Sequence, residues 1–592
     1  MKKSFHLTLL FVCFFLLFAC SESNNSSVDG DLDLSDGDLD NELEMELEAE
    51  ADPCEPNPCE EENKTTCSAI SAEEFECLCD DGYFDPGFGR CIEDIEENRL
   101  PESLGFEYTR EPSETPLDEN QLEEFSIKLG TFIKDIDYFN WLYRSSHGVD
   151  ASTGKPDFLW WWSDFSMIKD GDTVTMKHKE LPRGGGQNMH TDNANLMAVF
   201  LSGYMLTGDE RLKMLTEQFC KGLTSTMKGM AYDENDQNDH LMTRNVVMMN
   251  HSFTTDEGYK KIVDYSGWYS PYVKWNCGRF KYANNPYWGE VWVTNMRSKD
   301  DLGRILRMAV PLRYAIVQSA DSGIRETCGE TYQYLQRFFK DVVDSDYYIR
   351  TKNDKGEIFV PGLAEDQDPD YNPKDASTFA LYDMLGEEGG ECLPKRAVAL
   401  MAYGEGLDNN CGNTSWNVYD DLAIMNNPPN SRIIRANHIS HIAQALIHGD
   451  LVAASDSIEG LIGRFERQKT EDISDISVAP DDWQRDIALN LMQASAYGYP
   501  LTADDVRHIH KYYLRSVENF KDWGLWNLWD ESVADGEYSR TPSTYIRDED
   551  DVKVSWIRAN NLAVFMEYCW SPFKNPQGLA PVDCDVILNI LR

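Results

Sequence analysis

In the long C-terminal part of the chain, hydrophobic positions recur with the spacing of amphipathic helices that come in pairs. In the clearest pair, Leu196 and Phe200 share one face of a predicted helix over 190–206. Thr207-Gly208-Asp209 separates that helix from a second one over 210–227. Apolar residues three or four positions apart lie on one side of an α-helix, and so short a turn makes consecutive helices antiparallel neighbours. The pattern therefore predicts a helical hairpin.

Further predicted hairpins follow the same scheme. They occupy residues 299–345, 432–468 and 480–520. In the last of them, Thr502-Ala503-Asp504-Asp505 begins a helix with a pattern like a capping box. Single helices are predicted near 118–143 and 553–570. The hairpins have no fixed short period, which argues against a regular solenoid, so the predicted fold is mainly α, with five or six helical hairpins and long irregular loops.

The first twenty residues have the pattern of an export signal. Lys2 and Lys3 precede an apolar run over 7–18 that is too short to span a bilayer comfortably. Leu17-Phe18-Ala19-Cys20 matches a bacterial lipobox, which predicts a signal peptide over 1–19 and a lipid on Cys20. An ordinary secretory signal with a chance cysteine is the alternative. Ser21 after the cysteine favours the outer membrane or cell surface, so the predicted membrane attachment is the N-terminal lipid anchor.

An acidic segment follows the lipidated cysteine. Between Ser21 and Pro53 there are thirteen acidic residues, no basic residue and no aromatic residue. Such a stretch cannot bury enough apolar surface to offset its ordering entropy, and its charges repel one another. We therefore predict a disordered spacer over 20–51. With a formal net charge of -49 for the whole chain, nucleic acid is excluded as a non-specific partner.

Six cysteines then fall within a segment too small to hold a core without cross-links. They are spaced C-x4-C-x7-C-x9-C-x-C-x11-C, and they are Cys54, Cys59, Cys67, Cys77, Cys79 and Cys91. With Phe75 before the fourth cysteine and Asp80-Asp81-Gly82-Tyr83 after the fifth, residues 52–92 resemble an EGF-like module. The resemblance implies disulfides between the first and third, second and fourth, and fifth and sixth cysteines. It also implies a spacer or protein-contact role, with a zinc site as the alternative.

Seven further cysteines lie in the region that we assign to the large domain, 100–592. Their spacing is not that of a metal site, and they are Cys220, Cys277, Cys328, Cys392, Cys411, Cys569 and Cys584. Outside the cytoplasm some of them are expected to pair. The short-range candidates are Cys392 with Cys411 and Cys569 with Cys584, and an odd number leaves at least one thiol free.

Residues 184–195 read Gly-Gly-Gly-Gln-Asn-Met-His-Thr-Asp-Asn-Ala-Asn and lead into the first hairpin with its Thr-Gly-Asp turn. Together with the unequal hairpins, this segment is similar to parts of the (α/α) toroid superfamily of glycoside hydrolases and polysaccharide lyases. The resemblance is at the level of the superfamily and matches no complete family motif. It implies a barrel of inward and outward helices, with polar residues at the helix starts converging at one mouth.

The candidate catalytic residues are the polar side chains near the starts of the predicted inner helices. They are His190, Asp192, Asn437, His438, Arg485 and Asp486. Glycoside hydrolysis needs two carboxyl groups, for which Asp192 and Asp486 are the candidates. Polysaccharide β-elimination needs a group that neutralises the uronate and a base, roles that the His, Asn and Arg side chains suit. The alternative for each residue is structural, since Asp and Asn near helix starts are commonly caps.

Aromatic residues are concentrated in segments rich in Asn, Gly and Pro. Flat rings stack on sugars, and irregular loops commonly carry binding residues. The candidate substrate-binding residues are Trp161, Trp268, Trp275, Trp288 and Arg558. The alternative is that these rings fill the core between helices.

No metal and no cofactor are predicted. His438 and His441 share a helical face, but no carboxylate joins them at a helpful spacing. Asp366, Asp368 and Asp370 resemble part of a calcium loop whose turn glycine is replaced by Tyr371. The sequence therefore predicts a surface-anchored carbohydrate-active protein whose partner is a polysaccharide or glycan, leaning towards an enzyme. A non-catalytic glycan-binding lipoprotein and an adhesion protein are the alternatives.

Overall fold

A computed structural model of the chain describes residues 52–59, 63–71, 74–84, 91–94, 108–136, 138–145, 165–178, 189–247, 251–254, 260–264, 279–295, 299–345, 347–360, 392–403, 428–470, 480–522, 534–539 and 563–592. The predicted signal peptide, Cys20 and the acidic spacer lie outside these residues. The chain divides into two compact units, Met1–Pro58 with Cys67–Glu76, and Cys59–Thr66 with Cys77–Arg592.

The cysteine-rich segment contains short strands and three disulfides. The strands are β1 (Thr66–Ala69), β2 (Phe75–Leu78), β3 (Tyr83–Phe84) and β4 (Ile92–Glu93), paired β1 with β2 and β3 with β4. The disulfides join Cys54 to Cys67, Cys59 to Cys77, and Cys79 to Cys91. This is the pairing that the EGF-like resemblance implies.

The rest of the described chain is mainly helical. Its helices are α1 (Glu119–Asp135), α2 (Tyr138–Ser145), α3 (Met189–Thr207), α4 (Glu210–Lys228), α5 (Lys299–Gln318), α6 (Ser322–Asp344), α7 (Cys392–Tyr403), α8 (Pro428–Ile447), α9 (Leu451–Thr470), α10 (Pro480–Ser495), α11 (Ala503–Asp522), α12 (Phe565–Trp570) and α13 (Cys584–Leu591). The four predicted hairpins are confirmed as α3–α4, α5–α6, α8–α9 and α10–α11. The helix predicted near 118–143 is instead two helices, α1 and α2.

In each hairpin a short turn joins the two helices, and a side chain caps the N-terminus of the second helix. Gly208, at φ +67°, follows α3, and Asp209 then accepts a hydrogen bond from the Arg211 amide of α4. A positive φ costs glycine little, and an aspartate at the N-cap satisfies an amide that the helix leaves unpaired. Thr502 and Asp505 form the predicted capping box, because each side chain accepts a hydrogen bond from the other's amide.

Five helices, which we call the central helices, contact one another in sequence. α3 packs on α5, α5 on α8, α8 on α10, α10 on α12, and α12 again on α3. The helices that follow four of them, α4, α6, α9 and α11, pack against their own hairpin partners. Consecutive residues of α3, from Ala194 to Leu201, are all buried, whereas α4 has a buried face and an exposed one. A helix that is buried all round is typical of an inner position.

Strands occupy several loops between the hairpins. They are β5 (Phe165–Asp170), β6 (Thr173–His178), β7 (Asn245–Val247), β8 (His251–Thr254), β9 (Lys260–Asp264), β10 (Arg279–Asn285), β11 (Gly289–Thr294), β12 (Thr351–Lys352), β13 (Ile358–Phe359) and β14 (Gly536–Ser539). One sheet has the order β14-β5-β6-β9-β8, with β6 and β9 parallel, and another has the order β10-β11-β7. The prediction of irregular loops is therefore wrong for these segments. In β6 and β10 hydrophobic side chains alternate with polar ones, which is the pattern of a strand.

The C-terminus is fastened to the helical body by a disulfide. Cys569 of α12 pairs with Cys584 of α13, which confirms one of the two short-range pairings. Cys411, the predicted partner of Cys392, lies outside the described residues. Among the helices that the structure describes, none is long and apolar enough to cross a membrane.

Helices α5 and α8 approach closely at Gly303, which gives a prediction for stability. A Cβ atom there would lie 2.6 Å from Asn437 Oδ1 and 3.2 Å from the backbone carbon of Ala436. We expect Gly303→Ala to lower the free energy of unfolding by about 1–3 kcal/mol, because backbone atoms cannot move aside cheaply.

The matched control is Gly329→Ala in α6, where an added Cβ meets no atom within 4 Å. Helix propensity makes that change neutral or stabilising by up to about 1 kcal/mol. Urea unfolding of both variants measures the difference. Equal stabilities for the two variants would contradict the close approach.

Candidate functional site at the central helices

A buried polar network joins four of the five central helices. The guanidinium of Arg307 on α5 donates to Glu567 Oε2 on α12 at 2.9 Å and to Asn195 Oδ1 on α3. The hydroxyl of Tyr497, just after α10, donates to the other carboxylate oxygen of Glu567. Gln493 of α10 lies 3.4 Å from Asn195 Oδ1. These contacts bring residues from distant parts of the sequence to one place.

The Glu567 carboxyl group is held almost out of contact with water. Its side chain is 3% exposed and that of Arg307 is 2% exposed. Burying an unpaired charge costs several kcal/mol, but here the two charges face each other and both carboxylate oxygens accept a hydrogen bond. Burial and the neighbouring Glu567 raise the pKa of Tyr497 well above its usual value, so its hydroxyl remains a donor.

A small cavity borders this network. It is lined by Val310 and Pro311 of α5, by Tyr497, and by Glu567 and Trp570 of α12, among others. Proline has no amide hydrogen, so Pro311 cannot donate to the carbonyl of Arg307 one turn earlier in α5. The polar network and the interrupted helix therefore lie at the same level of the helical body.

Asp486, a predicted catalytic residue, contacts Arg435. Asp486 lies in the second turn of α10 with its side chain 15% exposed, and Arg435 of α8 is fully buried. The guanidinium donates to Asp486 Oδ2. A guanidinium partner favours the ionised form of a carboxyl group.

The predicted residues next to Asp486 and His438 are half-buried. Arg485 directly precedes Asp486 on α10. Asn437 of α8 faces Gly303 of α5, where the two helices approach each other closely. Hydrogen bonds from Ser440 to the Gly303 carbonyl and from Gln444 to the Leu306 carbonyl indicate that α5 and α8 run parallel. Asn437 thus faces α5, whereas Arg435 faces α10.

The predicted residues of α3 lie in its first turn. His190 is fully buried, and Asn193 is buried one turn further on. Asp192 belongs to the same turn, but its side chain lies outside the described atoms. The structure therefore brings Asp486 together with Arg435, whereas it gives no distance from Asp486 to the Asp192 carboxylate.

The two histidines of α8 lie next to residues of α9. His441 Nδ1 lies 2.6 Å from the Ser457 hydroxyl of α9. Burial, together with the nearby Arg464 of α9, lowers the pKa of His438 to about 3, and burial also lowers the pKa of His441 well below its usual value. Both imidazoles are therefore neutral. Across the described part of the chain, no group of three His, Cys, Asp or Glu side chains is placed to hold a metal ion.

Of the predicted sugar-contacting residues, Trp288 lies within the described chain. Trp161, Trp268, Trp275 and Arg558 lie outside it. Trp288 is half-buried at the turn between β10 and β11, next to Tyr287, whose exposed fraction is 42%. The Tyr287 hydroxyl lies 2.9 Å from both Tyr334 Oη and Asp239 Oδ2, so its ring is held in place by hydrogen bonds.

Sequence reasoning missed the buried network. Arg307 and Glu567 are each a charged residue inside an otherwise apolar stretch, Met-Ala-Val following the first and Ala-Val-Phe-Met preceding the second. A charge in such a stretch is buried only when it is paired. This signal identifies each residue as special, but it does not name the partner.

The network gives a prediction for a single hydroxyl. Tyr497→Phe removes one of the donors to Glu567, and we expect it to lower the free energy of unfolding by about 1.5–3 kcal/mol, as hydrogen bonds to charged groups do. The matched control is Tyr568→Phe, beside Glu567, for which no hydrogen bond of the hydroxyl is seen and whose change should stay within about 0.5 kcal/mol. Chemical denaturation measures both, and equal losses would argue against the network.

The lowered pKa of His438 gives a prediction for pH dependence. An unfolded histidine titrates near pH 6.5. At pH 5 the unfolded chain therefore binds a proton at His438, whereas the folded chain does not. The stability from this group is present above about pH 6.5 and is lost as the pH falls towards 3. Between pH 7 and pH 5 the loss is about 2 kcal/mol. We expect His438→Gln to lose about that much less than the wild type, and an identical loss would contradict the burial of a neutral ring.

Comparison of the chain with protein-family models, with curated proteins and with solved structures finds no match in any of the three. The contacts of the central helices are therefore the basis for a functional proposal.

Proposed function

We propose that the helical body is an (α/α) toroid and that the protein is a carbohydrate-active lipoprotein that cleaves a polysaccharide outside the cytoplasm. The contacts of the central helices, which run from α3 through α5, α8, α10 and α12 back to α3, support a toroid. So do the antiparallel helices that follow four of them. Cys20 carries the lipid in this proposal, and the acidic spacer and the EGF-like module separate the helical body from the membrane. The module is also the proposed surface for protein contact.

The observation that carries the catalytic proposal is the partly exposed Asp486 carboxylate above the buried Arg435. An ionised carboxylate fixed by a guanidinium suits a base or nucleophile, and in hydrolysis the acid role then falls to Asp192. In β-elimination, Arg485 would neutralise the uronate and Asp486 would take the proton, since His190 and His438 are fully buried. Hydrolysis and elimination share Asp486 and the adjacent Arg485 as the centre of the site.

The alternative is a glycan-binding protein without catalysis. The specific observation in its favour is Tyr287, an exposed ring that hydrogen bonds hold in place. Arg337 donates to Asp239 beside it and has a side chain 45% exposed. A fixed aromatic face with a neighbouring guanidinium is typical of sugar contacts. Such a surface needs no carboxylate that reaches the substrate.

The test is release of reducing ends, or of ultraviolet absorbance from unsaturated uronate, across a panel of neutral and acidic polysaccharides. We expect the full chain to act on at least one of them, and Asp486→Asn to lower the rate about 100-fold or more, as loss of a general base does. The matched control is Asp504→Asn on α11, where the carboxylate is 65% exposed and lies in the outer layer. That variant should keep the wild-type rate.

Melting curves of both variants show whether they are folded. A folded Asp486→Asn protein with the wild-type rate would reject the residue assignment. Polysaccharide binding without any product, abolished by Tyr287→Ala, would reject catalysis and support the binding alternative.

A further inference from the structure

Two buried thiols face each other between the outer helices α4 and α6. Cys220 of α4 and Cys328 of α6 are both fully buried and carry free thiols. Cys328 lies next to Cys220, which raises the pKa of the Cys328 thiol. The Cys220 thiol in turn donates to the sulfur of Met197 on α3, 3.0 Å away. Cys220 therefore has sulfur-containing neighbours on two packed helices, Met197 of α3 and Cys328 of α6.

The backbones of α4 and α6 are close at this level. One turn further along both helices, the hydroxyls of Thr224 and Thr331 lie 3.0 Å apart, and Thr331 Oγ1 lies 3.3 Å from the Cys220 carbonyl oxygen. The Thr331 hydroxyl of α6 thus contacts the backbone of α4 at Cys220. Cys220 and Cys328 each lie one turn before these threonines, so they occupy equivalent positions on two helices that touch.

Two ion pairs join α4 to α6, one on either side of the thiols. Lys213 contacts Asp321 near the start of both helices at 2.6 Å, and Lys228 contacts Glu330 further along at 2.6 Å. The order of these contacts along the two helices shows that α4 and α6 run parallel. The thiol pair lies between the two ion pairs, which hold the helices together on either side of it.

We propose that Cys220 and Cys328 are a redox-responsive pair that closes to a disulfide between the first two helical hairpins when the chain meets a disulfide donor. A thiolate of one cysteine attacks a sulfur of the donor and expels one donor thiol, which leaves a mixed disulfide. The second cysteine then attacks the sulfur of the first and expels the other donor thiol. Two thiols of the protein are oxidised, one donor disulfide is reduced, and the two protons end on the donor thiols.

The hydrogen bond with Cys220 and burial raise the pKa of Cys328. Because the thiolate is the reactive form, the folded dithiol reacts slowly, and closure belongs to the folding chain or to local opening. The structure describes other disulfides in the chain. An oxidising compartment favours a disulfide over two free thiols. A link here would join hairpins α3–α4 and α5–α6, which packing, the two ion pairs and hydrogen bonds also join.

The experiment maps the disulfides of the full chain after folding with oxidised glutathione. The protein is denatured, its free thiols are alkylated without reduction, and it is digested and analysed by mass spectrometry. We expect a joined peptide that contains Cys220 and Cys328 and disappears on reduction. The joined Cys569–Cys584 peptide is the internal control for intact disulfides. Alkylated Cys220 and Cys328 as the main species, with the control peptide joined, would overturn the proposal.

Thermal unfolding provides a second readout. The glutathione-folded wild type should melt at least about 3 °C above a Cys220→Ser, Cys328→Ser double variant, because the link closes a loop of about 100 residues. After folding with reduced glutathione, the joined peptide should be absent. If the double variant does not fold, the peptide map of the wild type decides alone.

Discussion

The buried ion pair between Arg307 and Glu567 is the interaction on which the arrangement of the central helices depends. It joins α5 to α12, which are separated by more than two hundred residues of sequence, and it recruits Asn195 of α3. Neither charge is stable in the interior alone, so each holds the other's helix in place. The contact between α12 and α3, which completes the sequence of central helices, thus depends on electrostatic attraction as well as on packing.

This constraint also limits where chemistry can occur. Both carboxylate oxygens of Glu567 accept hydrogen bonds within the network, and a ligand could bind them only by breaking those bonds. Asp486 is different, because its carboxylate is partly exposed while its partner Arg435 is buried. The proposed site therefore lies at Asp486 and the neighbouring starts of the central helices. The Arg307–Glu567 pair stabilises the packing of these helices.

The helices were largely predictable and the long-range contacts were not. Apolar spacing and the Gly208-Asp209 turn predict the first hairpin almost to its ends, because both signals are local. The face of His438 was not predictable, since residues 438–447 of α8 are all buried and the periodicity of the helix is weak. Likewise, the sequence marks Arg307 and Glu567 as unusual, but only the tertiary fold pairs them. The strands β10 and β11 were missed because their alternation lies within an aromatic-rich segment.

A double-mutant cycle on Arg307→Met and Glu567→Met tests this account most directly. Urea unfolding of the wild type, both single variants and the double variant gives the coupling energy between the two side chains. We predict that each single change lowers the free energy of unfolding by about 3–5 kcal/mol, and that the double variant is at least as stable as either. Losses that add to within about 0.5 kcal/mol would show that the two charges act independently and would contradict the account.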